Sequence, residues 1–251
     1  MRSFYSFIFA LCAMAVCSQM VFAWTVNVEY NDKSGIEYAT YTVTLKDGTI
    51  LGFNKAWGAN FKFCGAISNK REIRIPDTLQ STTDKYFVRK LGPNGVYKVC
   101  DMTRASKVTT LYLPTTLWQN ALSDVALHPN IKKIHLPKNS KFWASSQLHN
   151  LDTVFVQKED LLYYLNEPEW RRRVLIVEEG EKPLKLTVVV NKAGEFAQTL
   201  LQKVENMNKV NELKVIGPLN GEDLNKFKEM EQMAKLDLLD AKITDIPAYF
   251  C

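Results

Sequence analysis

One aliphatic hexad, L-x-x-L-x-L with other aliphatics allowed, returns along this chain and constrains it more than any other feature. It reads Val108-x-x-Leu111-x-Leu113, Ile131-x-x-Ile134-x-Leu136 and Leu151-x-x-Val154-x-Val156, then Val210-x-x-Leu213-x-Val215 and Met233-x-x-Leu236-x-Leu238. The step is 23 residues from Leu111 to Ile134, 20 from Ile134 to Val154, and 23 from Leu213 to Leu236. Self-similarity at about 20–29 residues on such a hexad predicts an α/β repeat, a leucine-rich-repeat solenoid. Each unit of a solenoid buries its apolar edge against its neighbours and presents a long surface.

The first residues read as an export signal. Arg2 is the only charge in residues 1–23, an apolar stretch runs from Phe4 to about Val16, and Val21-Phe22-Ala23 supplies small residues for cleavage after Ala23. An uncleaved membrane anchor is the weaker reading, because Ser18 and Gln19 break the run and no stop-transfer flank follows. A lipoprotein signal is another, but Cys17 follows Met14-Ala15-Val16 and lacks the usual small residue before it. The expectation is a secreted or cell-surface protein with no transmembrane span after cleavage.

Of 251 residues, 228 follow Ala23, and their net charge is +4 once Arg2 is removed from the +5 of the whole chain. The densest basic run, Arg171-Arg172-Arg173, is answered by Glu178, Glu179 and Glu181, so no nucleic-acid-binding patch is expected. Cys64, Cys100 and Cys251 remain. Cys64 and Cys100 either pair across adjacent repeats or act as two buried small hydrophobes, the second reading being preferred.

Residues 24–69 read as an antiparallel β lead-in that caps the first edge of the stack. Trp24, Val26, Val28 and Tyr30 alternate, Tyr38 to Leu45 alternates, and Lys46-Asp47-Gly48-Thr49 turns the chain into Ile50–Phe53. Residues 70–180 form a β-rich first array of proline-ended strands: Ile73-Arg74-Ile75-Pro76, Leu111-Tyr112-Leu113-Pro114 and Ile134-His135-Leu136-Pro137. Lys85 to Gly92 reads as an inserted strand, Asp160 to Asn166 as a short helix, and Val174 to Val177 as the last strand. Gly180-Glu181-Lys182-Pro183 is a linker. Residues 183–251 form a second array of alternating strands and helices. Its strands are Leu184–Val190, Leu213–Val215 and Leu236–Leu238, its helices Ala193–Met207 and Glu222–Ala234, and Gly217-Pro218-Leu219-Asn220-Gly221 is a turn.

The segments Ile75-Pro76, Tyr86-x-Val88, Leu91-Gly92, Leu113-Pro114, Val154-x-Val156, Tyr163-Tyr164, Trp170 and Val174 resemble BspA-like leucine-rich-repeat surface proteins of bacteria. Gly217 to Asp223 and Leu236-Asp237-Leu238-x-x-Ala241-x-Ile243 resemble a cap-like repeat of related secreted proteins. One departure is Gly95-Val96-Tyr97 in place of the usual alanine-phenylalanine pair. The resemblance implies a place at or outside the cell surface and a role in adhesion, with no particular ligand.

Catalytic signatures are absent: there is no G-x-S-x-G, no H-E-x-x-H and no phosphate-binding glycine loop. His128, His135 and His149 have no spacing that suggests a triad. Glu222, Asp223, Asp237 and Asp240 lack the ordered spacing of a calcium loop. No enzyme activity, metal or cofactor is expected. The variable residue between the paired aliphatics points outward, which nominates Arg74, Tyr112, His135, Phe155, Thr187, Lys214 and Asp237, with neighbours Lys133 and Thr153. The row Tyr112, His135, Phe155 would stack in register, either as an exposed binding face or as packing beneath a covering segment. The expected ligand-binding surface is Arg74, Tyr112, Lys133, His135, Thr153 and Phe155, and the expected partner is a host or bacterial surface protein or a glycan. A structural spacer or accessory module of a longer surface protein is the alternative. Intact mass measurement of the exported chain is expected to place Trp24 first, whereas a lipid-modified Cys17 would establish the anchored form.

Overall fold

The structure, a computed structural model, describes residues 25–247 apart from 32, 83, 92–99, 123–126, 144–147, 149 and 172. The leader, Trp24, the Gly95-Val96-Tyr97 departure, His149 and Cys251 lie outside the described residues. The alternating runs become strands. Thr25–Asn27 (β1) and Glu29–Tyr30 (β2) are followed by Tyr41–Thr44 (β3) and Ile50–Lys55 (β4), an antiparallel pair. Asn60–Ile67 (β5) pairs antiparallel with β4, and Glu72–Arg74 (β6), Thr78–Gln80 (β7) and Lys85–Leu91 (β8) come next. Seven of these strands join in the order β1-β7-β8-β5-β4-β3-β2. Only Val28 separates β1 from β2, so one short stretch of chain supplies both ends of that order and the sheet is nearly closed. Phe53, Phe61, Phe63, Leu51, Leu79 and Val88 are fully buried.

The second sheet contains β6, Thr110–Tyr112 (β9), Lys133–His135 (β10), Thr153–Val156 (β11) and Leu175–Glu178 (β12), all parallel in the order β12-β11-β10-β9-β6. Ile73, Leu111, Ile134, Val154 and Ile176 stand opposite one another in register and are buried in a core continuous with that of the first sheet. Deleting one such side chain to Ala typically costs about 2–5 kcal/mol.

Prolines end the strands, and buried carboxylates clamp the turns that follow. Asp77 accepts the Thr115 backbone N–H at 2.6 Å, and Asp160 accepts that of Asn139, which sits at φ 59°, at 2.7 Å. Helices at Lys158–Asn166 and Pro168–Arg171 carry Tyr164 and Trp170 inward. The Tyr164 hydroxyl donates to the Ser140 carbonyl at 3.0 Å and accepts the Phe142 N–H at 3.1 Å, while the Trp170 indole donates to the Phe142 carbonyl at 2.8 Å.

The last unit has its own core of Val188, Phe196, Leu200, Leu213, Val215, Leu224, Phe227 and others. Leu184–Val189 (β13) and Val210–Leu219 (β14) pair in parallel, and Lys235–Asp237 (β15) and Ala241–Ile243 (β16) share the far side of β14. The expected turn at Gly217-Pro218 is instead the end of β14. Gly217 takes φ 106°, and a Cβ there would lie 2.1 Å from the Val190 carbonyl oxygen, so only glycine lets the strand bend against its neighbour. Asp223, buried near the start of the helix Gly221–Lys228, accepts the N–H groups of Asn220, Gly194 and Phe196 at 3.0, 2.6 and 3.1 Å. One carboxylate thus caps its own helix and fixes the entry to the helix Phe196–Leu201.

These sheets correct the expected leucine-rich-repeat solenoid. The chain is mostly β, with one mixed, nearly closed sheet, two parallel sheets and few helices. The hexad dictates which strand faces are buried and says nothing of what connects the strands. The described residues between β9 and β10, and between β10 and β11, contain no helix, because clamped turns close those units. The predicted helix Ala193–Met207 shrinks to Phe196–Leu201 for a related reason: Asp223 fixes where it starts, and Leu200 carbonyl contacts end it. The antiparallel lead-in is corrected too. β1 pairs in parallel with β7, and β5 with β8, because the chain after Pro76 returns to the first sheet.

Cys64 and Cys100 are buried and not bridged. Among the described residues no helix is long and apolar enough to cross a membrane. Burial pushes the Tyr164 hydroxyl up to about 12, from an ordinary value of 10.0. The folded chain therefore keeps a proton that the unfolded chain releases, and stability present below pH 10 falls as pH rises toward 12, by about 2–3 kcal/mol from this group. Cys64, pushed up to about 12 by burial, acts with the same sign. In urea unfolding, Tyr164→Phe is expected to be less stable at neutral pH, through its lost hydrogen bonds, yet to fall less steeply above pH 10.

Candidate binding face

Parallel, in-register pairing brings like positions of successive strands to one face at strand spacing, about 4.8 Å. On the second sheet this aligns Arg74, Tyr112, His135, Phe155 and Val177. Planar side chains at that spacing stack. The Tyr112 and His135 rings lie 4.0 Å apart at 15°, and the His135 and Phe155 rings 4.3 Å apart at 8°. The Arg74 guanidinium caps the column 4.7 Å from the Tyr112 ring centre, a contact worth about 0.5–1 kcal/mol at an exposed site.

Two carboxylates hold the column laterally. Glu179 lies 2.7 Å from His135 Nδ1, and Glu72 accepts the Tyr112 hydroxyl at 3.4 Å. Burial, and then the charges of Glu72 and Glu179, raise the Tyr112 pKa above the ordinary phenol range. A second row runs beside the first: Glu72, Thr110, Lys133, Thr153 and Leu175.

The structure grades the expected site residues by depth. Arg74 and Lys133 are exposed, and Tyr112 and His135 are half-buried. Thr153 and Phe155 are buried, at 5% and 8% exposure, and Phe155 packs with Leu175 and Val177 in a small cluster apart from the main core. The accessible part of the face is therefore Arg74, Tyr112, Lys133 and His135, with Phe155 as its packed footing. Sequence reading missed both carboxylates. Glu72 was findable, two residues before Arg74 on the same strand face. Glu179 was not, since it reaches His135 only because its backbone N–H bonds the Val156 carbonyl at 2.7 Å.

The outward row of the third sheet, Thr187, Lys214 and Asp237, is also in register. Lys214 pairs with Asp240 at 2.6 Å, and that carboxylate raises its pKa. These residues belong to a different sheet from the aromatic column.

Chemically the column offers ring edges rather than ring faces, because the faces are covered by neighbouring rings. His135 Nδ1 is committed to Glu179, and among the described residues no hydroxyl or thiol is hydrogen-bonded to His135. That arrangement suits holding a ligand by edge contacts and hydrogen bonds. No family model, curated protein or solved structure matches the chain.

Replacing His135 separates Tyr112 from Phe155 and leaves Glu179 half-buried without its partner. His135→Ala is expected to destabilise by about 1–2 kcal/mol, and His135→Phe, which restores the stack, is expected to recover the larger part. Chemical denaturation of the two variants against the parent chain checks this.

Proposed function

We propose that this chain is a non-enzymatic, exported binding protein that holds a protein or a glycan against the outward face of its five-stranded parallel sheet. The aromatic column carries this reading. Four accessible side chains, Arg74, Tyr112, Lys133 and His135, stand on one rigid sheet face and offer cationic and hydrogen-bonding groups around aromatic edges. Tyr and Arg on a preorganised surface are the residue types that dominate protein interfaces. Their rigidity lowers the entropy lost when a ligand binds. Export rests on the leader-like residues 1–23, and an adhesive role on the resemblance to BspA-like bacterial surface proteins.

A second reading, a structural spacer or accessory module of a longer surface protein, draws on one observation. Leu239 and Ile246, near the outer strands β15 and β16, are 92% and 66% exposed, as residues waiting for an adjoining unit would be.

The binding reading is tested by measuring the exported chain against immobilised extracellular-matrix proteins and mucin. A saturable partner is expected, with affinity reduced at least about tenfold by Tyr112→Ala. Phe155→Ala is expected to weaken binding while lowering stability. Absence of any partner, or an unchanged affinity in a folded Tyr112→Ala protein, counts against the reading.

A further inference from the structure

The second and third sheets flank an open cleft of about 590 Å³ that the aromatic column does not line. Its size falls within the range of about 300–1,000 Å³ typical of small-ligand sites. Its walls are unusually basic. Lys133 and Arg171 come from the side of the second sheet, Lys185 and Lys235 from the third sheet, and Arg173 from the turn before β12. Among the described residues two carboxylates, Asp152 and Glu212, line it as well.

The internal ion pairs leave much of this charge unanswered. Glu212 sits 2.7 Å from Lys185, and Arg173 is engaged by Glu169 at 3.0 Å. Among the described residues Lys133, Arg171 and Lys235 have no carboxylate within ion-pair distance. Lys185 and Lys235 flank Glu212 on successive strands in register, which sets their backbones about 10 Å apart. Three cations without ion-pair partners, offset there by the single carboxylate of Asp152, leave a net positive potential in the concavity.

From this we infer that the cleft binds an anionic glycan, one carrying sulfate or uronate groups. The cations supply the recognition: Arg171 presents a planar fork to an oxyanion, and Lys133 and Lys235 act as point charges. Val174 and Leu175 add apolar wall between them. An acidic peptide fits less well. Extended peptides bind sheets by adding a strand to an open edge, through backbone hydrogen bonds. β12 and β13 are outer strands of their sheets, but the N–H groups at their cleft ends are spent: Pro183 has none, the Leu184 N–H is held by the Asn211 side chain at 2.8 Å, and the Val174 and Leu175 N–H groups by the Trp170 and Asp152 carbonyls at 3.2 and 3.0 Å. The glycan is favoured because its recognition needs side-chain charge alone.

The cleft shares Lys133 with the proposed binding face, but its test uses other residues. A size-defined sulfated heparin-type oligosaccharide is titrated into the full exported chain at low and high salt. Its desulfated counterpart and polyglutamate are titrated in parallel. Saturable binding of the sulfated probe is expected, weakened by salt and reduced at least about tenfold in Arg171→Glu and Lys235→Glu. Both positions are exposed, and circular dichroism checks that the variants fold. Tyr112→Ala is expected to leave this binding intact, so failure of the aromatic face and failure of the cleft give different results. No binding by the parent chain, undiminished binding by folded Arg171→Glu and Lys235→Glu, or equal binding of the desulfated probe would overturn the inference. Polyglutamate binding as tightly as the glycan would assign the cleft to acidic peptides instead.

Discussion

The in-register row Ile73, Leu111, Ile134, Val154 and Ile176 is the constraint on which the rest of the second sheet depends. A strand that slips by one residue exchanges its buried and outward faces. Burying these five aliphatics therefore fixes the register of all five strands at once. The opposite row follows without further instruction. Arg74, Tyr112, His135 and Phe155 stack because the residues preceding each of them are buried in line.

Buried polar side chains are engaged in holding this framework. Asp77 and Asp160 satisfy backbone donors in the turns after Pro114 and Pro137, and Asp223 satisfies three around two helix starts. An unsatisfied buried donor costs about 1–3 kcal/mol, so each of these carboxylates is tied to the turn geometry that keeps a strand in register. Tyr164 and Trp170 do the same for residues 140–142 through their hydroxyl and indole groups. Surface ion pairs such as Lys138–Glu159, with both partners well exposed, contribute little by comparison.

The framework leaves two surfaces of different character. The aromatic column is a packed stack of rings held at its side by two carboxylates, Glu179 beside His135 and Glu72 beside Tyr112. The cleft between the sheets keeps a surplus of positive charge. Contacts on the first depend on shape and hydrogen bonding, and contacts in the second on charge and ionic strength.

Much of this is written locally. The hexad and the proline-ended motifs locate β9, β10 and β11, the Asp47-Gly48 turn locates the β3–β4 pair, and alternation alone assigns Tyr112, His135 and Phe155 to one face. Those features are legible because strand side chains alternate with a period of two and turns demand particular residues. Other features depend on partners distant in sequence. β5 is obscured by Gly65, which is there because the Asp101 carbonyl approaches too closely for a side chain. Glu179 reaches His135 only through the pairing of β12 with β11. The basic cleft joins Lys133 to Lys235 across two sheets. The sequence by itself determined where the repeated strands of the second sheet lie and which of their faces are apolar. Tertiary structure decided that the first sheet nearly closes on itself, how deeply Phe155 is buried and which charges meet, because nonlocal pairing is set by what the whole chain can bury together rather than by any local period.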